Sequence, residues 1–254
     1  DTHLETRADN LTVNDSYIKT QVLNSGKNNS KTCGIYNNLA NSISVNNTFV
    51  YSHNIGCGEN QEAVGIYTDG RFGRFTGNNI KANGSHNTGK QKEQAFAYGF
   101  VNNGVYSIIS SNNIVGEWGG MCVGLENRGN YLKADGNKIL STHTIKGRSV
   151  RNYADNCVYN GNIITSTSRN PRLFEHNGCN CIISNNFMSG LLGLPDALSG
   201  CGIYAAGEDI SNNIISGNII QSVCDCGIFA SPDAGIIKDN YMAGLSADNG
   251  YLVL

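Results

Sequence analysis

The chain has 254 residues, 39% of them hydrophobic and 15% charged, and 18 Lys and Arg against 20 Asp and Glu give a formal charge of −2. Its polar content is amide rather than charge: Asn occurs 37 times and Gly 31 times, against 3 Pro. Asn and Gly both disfavour helix interiors, so the composition excludes a disordered charged tail, a coiled coil and a helical bundle. No run of Lys or Arg offers a stripe that tracks phosphates, so nucleic acid is not an expected partner. No stretch approaches the roughly 18 apolar residues of a membrane span, and the opening DTHLETRADN has no apolar signal core. The chain begins at Asp1 without Met and is expected to be a single domain over residues 1–254, excised from a longer polypeptide.

Taken in chain order, a degenerate first coil places Asp15 and Tyr17 where later coils repeat Asn and an apolar residue. A short apolar strand then recurs: Cys33-Gly34-Ile35-Tyr36, Val64-Gly65-Ile66-Tyr67, Tyr98-Gly99-Phe100-Val101, Val123-Gly124-Leu125-Glu126, Arg148-Ser149-Val150-Arg151, Arg172-Leu173-Phe174-Glu175, Cys201-Gly202-Ile203-Tyr204 and Cys226-Gly227-Ile228-Phe229. Thirteen residues after the second position of each strand stands an Asn, at 47, 78, 112, 137, 162, 186 and 240, with Asn218 displaced by three extra residues. Two residues further comes an apolar side chain: Phe49, Ile80, Ile114, Ile139, Ile164, Met188, Ile220 and Met242.

The alternation has period two over short runs and no apolar stripe of helical period. A strand unit repeating about every 25 residues cannot bury a core alone, but a stack of such units can. The expectation is an all-β, right-handed, single-stranded parallel β-helix of about nine coils. Ile35, Ile66, Phe100, Leu125, Val150, Phe174, Ile203 and Ile228 point inward, the stacked Asn of the turn form an amide ladder, and Asn102, Asn127 and Asn152, read as outward-lying, are expected to be ladder members rather than ligands.

On these residues the sequence resembles the pectate-lyase-like parallel β-helix superfamily over nearly the whole chain. Asn-rich and Pro-poor, it is most similar there to the shaft of bacteriophage tailspikes. That resemblance implies a homotrimer in the virion tail, assembled in the bacterial cytoplasm and acting outside the cell at the host surface. It also implies binding and endo-hydrolysis of bacterial surface polysaccharide, O-antigen or capsule, with no cofactor. A non-catalytic glycan-binding shaft and a polysaccharide lyase are the alternatives. Polygalacturonase signatures are absent, and Arg169-Asn170-Pro171-Arg172 departs from the pectate lyase Arg-x-Pro-x-x-Arg spacing.

Long connections at 48–64, 79–98 and 187–201 suggest the walls of a cleft over the middle coils. The residue after each inward one reads Tyr36, Tyr67, Val101, Glu126, Arg151, Glu175, Tyr204 and Phe229. Rungs lie roughly 4.8 Å apart, so Glu126 and Glu175 are expected roughly 9–10 Å from one another. That approaches the separation of roughly 6.5–9.5 Å of an inverting glycosidase pair. They are the candidate catalytic acids, with Arg151, Tyr153, His176, Asp69, Tyr67 and Trp118 as substrate-binding candidates. A lyase would use Arg151, Tyr153 and His176 instead. The competing reading of Glu126, Arg151 and Glu175 is a charge ladder facing solvent. Asp155 and Glu117 are further acids near the same face, whereas Glu59, Glu62 and Glu93 fall in long loops as solvated charge.

Nine Cys leave at least one thiol without a partner, and neither Cys179-x-Cys181 nor Cys224-x-Cys226 belongs to a paired zinc frame. Small buried thiols and no metal are expected.

Overall fold

The computed structural model describes residues 2–7, 9–23, 30–55, 61–84, 95–168, 170–190, 200–207, 210–221 and 226–243. Among them there is no helix, and every strand pairs in parallel with a counterpart in an adjacent coil. Each coil turns through three strand faces, as in Lys31–Asn37 (face I), Ser44–Asn46 (face II) and Phe49–Ile55 (face III). Face II forms a nine-stranded sheet. In the middle of the stack, face III runs without a break into face I of the next coil, giving the strands Asn113–Asn127 and Lys138–Asn152. The chain is a parallel β-helix.

The core is a set of columns. On face I, Ile35, Ile66, Phe100, Leu125, Val150, Phe174, Ile203 and Ile228 are all buried, as the repeat requires. Face II contributes Val45, Phe75, Ile109 and Ile183, and face III contributes Val50, Ile80, Ile114 and Ile139. Each fully buried aliphatic side chain supplies about 1.5–3 kcal/mol, and stacking is what makes that burial possible. The repeated glycine on face I follows from this closeness: a Cβ on Gly65 would lie 2.4 Å from the Gly99 carbonyl oxygen and 2.5 Å from Ile80 Cγ2.

The bend between faces II and III fixes the Asn ladder. The residue before each ladder position is left-handed, with φ between 47° and 66° at Asp15, Asn47, Gly77, Ser111, Gly136, Gly161, Asn185, Gly217 and Asp239. Gly, Asn and Asp tolerate that region best, which accounts for the amide and glycine excess. The next residue turns its amide inward. Asn162 Oδ1 accepts from the Asn137 backbone N–H at 2.9 Å and from Asn137 Nδ2 at 3.0 Å, while its own Nδ2 donates to the Ala134 carbonyl at 3.0 Å. The same pattern runs from Asn78 to Asn240.

Spacing misplaces the first two coils by one residue. Asp15 and Asn47 occupy the left-handed bend, and Thr48 stands in the ladder, donating its backbone N–H to Asn78 Oδ1 at 2.9 Å. Ile18 and Val50 pair with each other in the inward column. Tyr17 and Phe49, counted in the same column as Ile80 and Ile114, stack outside at 5.0 Å. The cause in the second coil is one extra residue in the turn from face I to face II, taken up by Leu39 at φ 65°.

Candidate functional site

Face I carries the candidate site, because alternation there turns one residue inward and the next outward. The register places Glu126 opposite Arg151 and Arg151 opposite Glu175, as the repeat predicts. The space between the two carboxylates is filled by guanidinium. Arg151 Nη1 donates to Glu126 Oε2 at 3.0 Å, and Arg151 Nε lies 3.8 Å from Glu175 Oε1. Arg128 closes on Glu126 Oε1, and Arg148 and Arg172 meet Glu175 Oε2 at 2.7 and 3.3 Å. The Glu126 side chain is completely buried beneath these partners. Burial pulls Arg148 below the ordinary guanidinium range, with Glu175 opposing that shift. Four guanidiniums thus surround two carboxylates, a denser and more positive cluster than a one-to-one charge ladder.

Beside this cluster a groove with a volume of about 400 Å³ opens across face I. Its lower end is the ion pair of Lys31 and Glu62 at 3.4 Å, with Lys31 Nζ 5.0 Å from the centre of the Tyr67 ring. Phe96 and Tyr98 form an aromatic wall, Val101 lies in the lining between, and Glu126 with Arg128 forms the upper end. Burial pushes the Tyr98 phenol up to about 12, with Glu126 and Glu62 adding to the shift. Burial and the neighbouring Asp69 do the same for Tyr67, also to about 12. Both phenols therefore remain protonated at neutral pH and serve as hydrogen-bond donors rather than bases.

The eight residues expected at a site do not converge on this groove. Tyr67 and Glu126 line it. Asp69 stands one step behind: Asn103 Nδ2 donates to Asp69 at 2.8 Å and to the Tyr67 hydroxyl at 2.6 Å. Arg151 backs Glu126, its guanidinium lies 4.9 Å from the centre of the Tyr153 ring, and Glu175 lies one rung further. Trp118, half-buried at φ 56°, belongs to the corner where face III becomes face I and is not in the groove lining. His176 is overturned as a residue that reaches a surface ligand. It is fully buried, since the residue following outward Glu175 turns inward. There it continues a second ladder of buried side chains in which Asn102 donates to Asn127 at 2.7 Å and Asn127 to Asn152 at 2.8 Å. Asn102, Asn127 and Asn152 are ladder members, as expected, but they lie inside the coil and not outside it.

Sequence reasoning missed Lys31, Glu62, Phe96, Tyr98 and Arg128. Glu62 lies within the strand Gln61–Thr68 and pairs with Phe96, but period-two alternation counted back from Ile66 and Phe100 turns both inward; Gly65 and Ile66 both face the core, and that break in the alternation brings Glu62 and Phe96 to the outside. Glu59 and Glu93 lie outside the described residues, as do Cys57 and Cys224. Seven Cys are described, all buried except the half-buried Cys179.

No family model matches the chain, and no curated protein sequence matches it. Solved structures do. The catalytic domain of a GH87 alpha-1,3-glucanase in complex with nigerose matches 98% of this chain at 15% identity and a TM-score of 0.51. The DFA-IIIase of Arthrobacter chlorophenolicus A6 in complex with DFA-III matches 87% at 14% identity and a TM-score of 0.49. A tailspike protein double mutant of E. coli bacteriophage HK620 matches 95% at 9% identity and a TM-score of 0.41. The chain spans 49%, 56% and 58% of the lengths of these three proteins. At such identities the likeness concerns the fold alone, the parallel β-helix.

Proposed function

We propose that the chain is a single tailspike-like β-helix unit that binds bacterial surface polysaccharide in the groove of face I. The observation that carries this reading is the groove itself: about 400 Å³, walled by Tyr67, Phe96 and Tyr98 and bounded by Lys31 and Arg128. Aromatic faces present apolar surface to sugar rings, and a few placed polar groups set orientation. The excess of four arginines over two glutamates at the groove's upper end favours a glycan that carries carboxylates. The resemblance of the repeat to tailspike shafts supports the setting: a homotrimer in a virion tail that acts at the bacterial surface.

In this reading Glu126 and Glu175 are counter-ions that hold four arginines in place. An inverting pair needs room for a water between its carboxyls, and between these two stands Arg151. A second reading is endo-hydrolysis by another pair, Glu62 and Glu126, whose carboxylates line the same groove from its two ends. Two rungs above Glu62 stands Met121, five residues before Glu126, so their backbones lie roughly 19 Å apart at the usual strand spacings and the two side chains must reach toward each other along the groove.

The test is a panel of bacterial lipopolysaccharides and capsules, read by calorimetric binding, by new reducing ends and by absorbance of unsaturated uronates. Binding without turnover, weakened at least tenfold by Arg128→Ala, supports the adsorption reading. New reducing ends abolished by Glu62→Gln establish the hydrolase. An unsaturated product overturns both in favour of a lyase, and no binding to any acidic glycan overturns the proposal.

A further inference from the structure

The outward columns flanking the Asn bend change character along the stack. On face II the lower coils present Ser44, Arg74, Ile108 and Lys133 in one register column. The next four rungs of that column read Val158, Ile182, Ile214 and Ile236. On face III the column passes from Asn79, Asn113 and Lys138 to Ile163, Phe187, Ile219 and Tyr241. Both strips occupy the same four coils and both face out: Ile163 is 47%, Ile236 57% and Tyr241 63% exposed. Between them runs the polar column of Asn160, Ser184, Ser216 and Lys238 along the bend.

Seven of these eight side chains have no polar atom, so the strips hold almost nothing that could fix a sugar hydroxyl, and no charge that could select an ion. Their apolar groups repeat at the rung spacing of roughly 4.8 Å. A partner that fills each gap between them must carry the same repeat, and another copy of this chain does. A contiguous uncharged strip of this extent marks an association surface rather than ordinary scatter.

We infer that the two strips are complementary halves of one homomeric contact, with the face II strip of one chain lying along the face III strip of the next, axes parallel and rungs matched. Because the two surfaces differ, the contact is head-to-tail around the bend and closes into a ring. The inference rests on the trimeric reading given above, and it assigns the three-fold contact to the last four coils, away from the groove on face I.

Light scattering and sedimentation of the full chain test it, with Ile182→Lys on face II, Ile219→Lys on face III, and Ile108→Lys below the strip as control. Circular dichroism checks the fold of each variant, which these outward positions should preserve. The expected result is a threefold loss of mass in either strip variant and none in the control. An equimolar mixture of the two strip variants should recover a two-chain species and no closed ring, since one intact contact remains. A single-chain mass for the unmutated protein, an assembly that survives both substitutions, or dependence on only one strip would each overturn the inference. Glycan binding per chain, measured on the same samples, separates this outcome from the fate of the groove: its loss in the unmutated trimer counts against the groove alone.

Discussion

His176 stands above Asn152 in the inner ladder, its Nδ1 3.2 Å from the Asn152 amide nitrogen, with Nε2 buried and without a hydrogen-bond partner. Burial lowers its proton affinity below the ordinary value of 6.5, only partly offset by Asn213 and Asp155. The folded imidazole is therefore neutral in a range where the unfolded chain binds a proton. Stability contributed by this site is fully present above 6.5 and is lost as the pH falls through the window beneath it. His176→Asn restores the residue type of the rungs below. Denaturant midpoints measured between neutral and mildly acid pH should fall for the unmutated chain and fall less for the variant; equal slopes would remove His176 as the cause.

The Asn ladder should be far more sensitive at its true positions than at its apparent ones. Asn162 makes side-chain bonds to Asn137, Asn186 and the Ala134 carbonyl, all fully buried. Asn162→Ala strands the two Asn137 donors on one side and takes a donor from Asn186 Oδ1 and from the Ala134 carbonyl, and should cost about 2–5 kcal/mol. Asn47, whose role is a left-handed bend, should tolerate Gly within a few tenths of a kcal/mol and lose only about 1 kcal/mol as Ala. Chemical denaturation of the three variants decides the register, since an Asn47 in the ladder would behave as Asn162 does.

Much of the fold is legible because a β-helix writes its period directly into the chain. The inward column from Ile35 to Ile228 needs only a constant strand and a constant offset to its bend. Where the offset changed, as at Leu39, counting from Gly34 put Asn47 and Phe49 one position out of place. The outward register of Glu126, Arg151 and Glu175 followed from the same alignment. Their environment did not, because Arg128, Arg148 and Arg172 reach the carboxylates sideways from neighbouring columns, a direction that a single column does not contain. His176 was lost to the same cause: adjacency to Glu175 in sequence means the opposite side of the strand.

Leu39 offers a direct measure of what the inserted residue costs. It is 70% exposed at φ 65°, so its side chain gains little from packing while its backbone sits in a region that a branched residue rarely adopts. Leu39→Gly removes the strain and should stabilise the chain by about 0.5–1 kcal/mol despite the greater freedom of glycine when unfolded. A melting temperature that falls instead would mean that Leu39 is packed against something.

The arginine cluster predicts a non-additive pair. Glu126 is fully buried, and Glu126→Gln leaves the half-buried Arg151 and the more exposed Arg128 without their shared counter-charge. The loss should be on the order of 3 kcal/mol, since breaking a buried pair on one side costs more than the pair itself is worth. Arg151→Met alone strands Glu126 in turn, although Arg128 remains to compensate. In the double variant neither the charge nor the guanidinium is left behind, while Glu175 keeps Arg148 and Arg172. The double variant should therefore be more stable than Glu126→Gln alone, with a coupling of about 1–3 kcal/mol in a double-mutant cycle. Simple additivity in that cycle would show that Arg128 alone carries the Glu126 charge and that Arg151 belongs to Glu175.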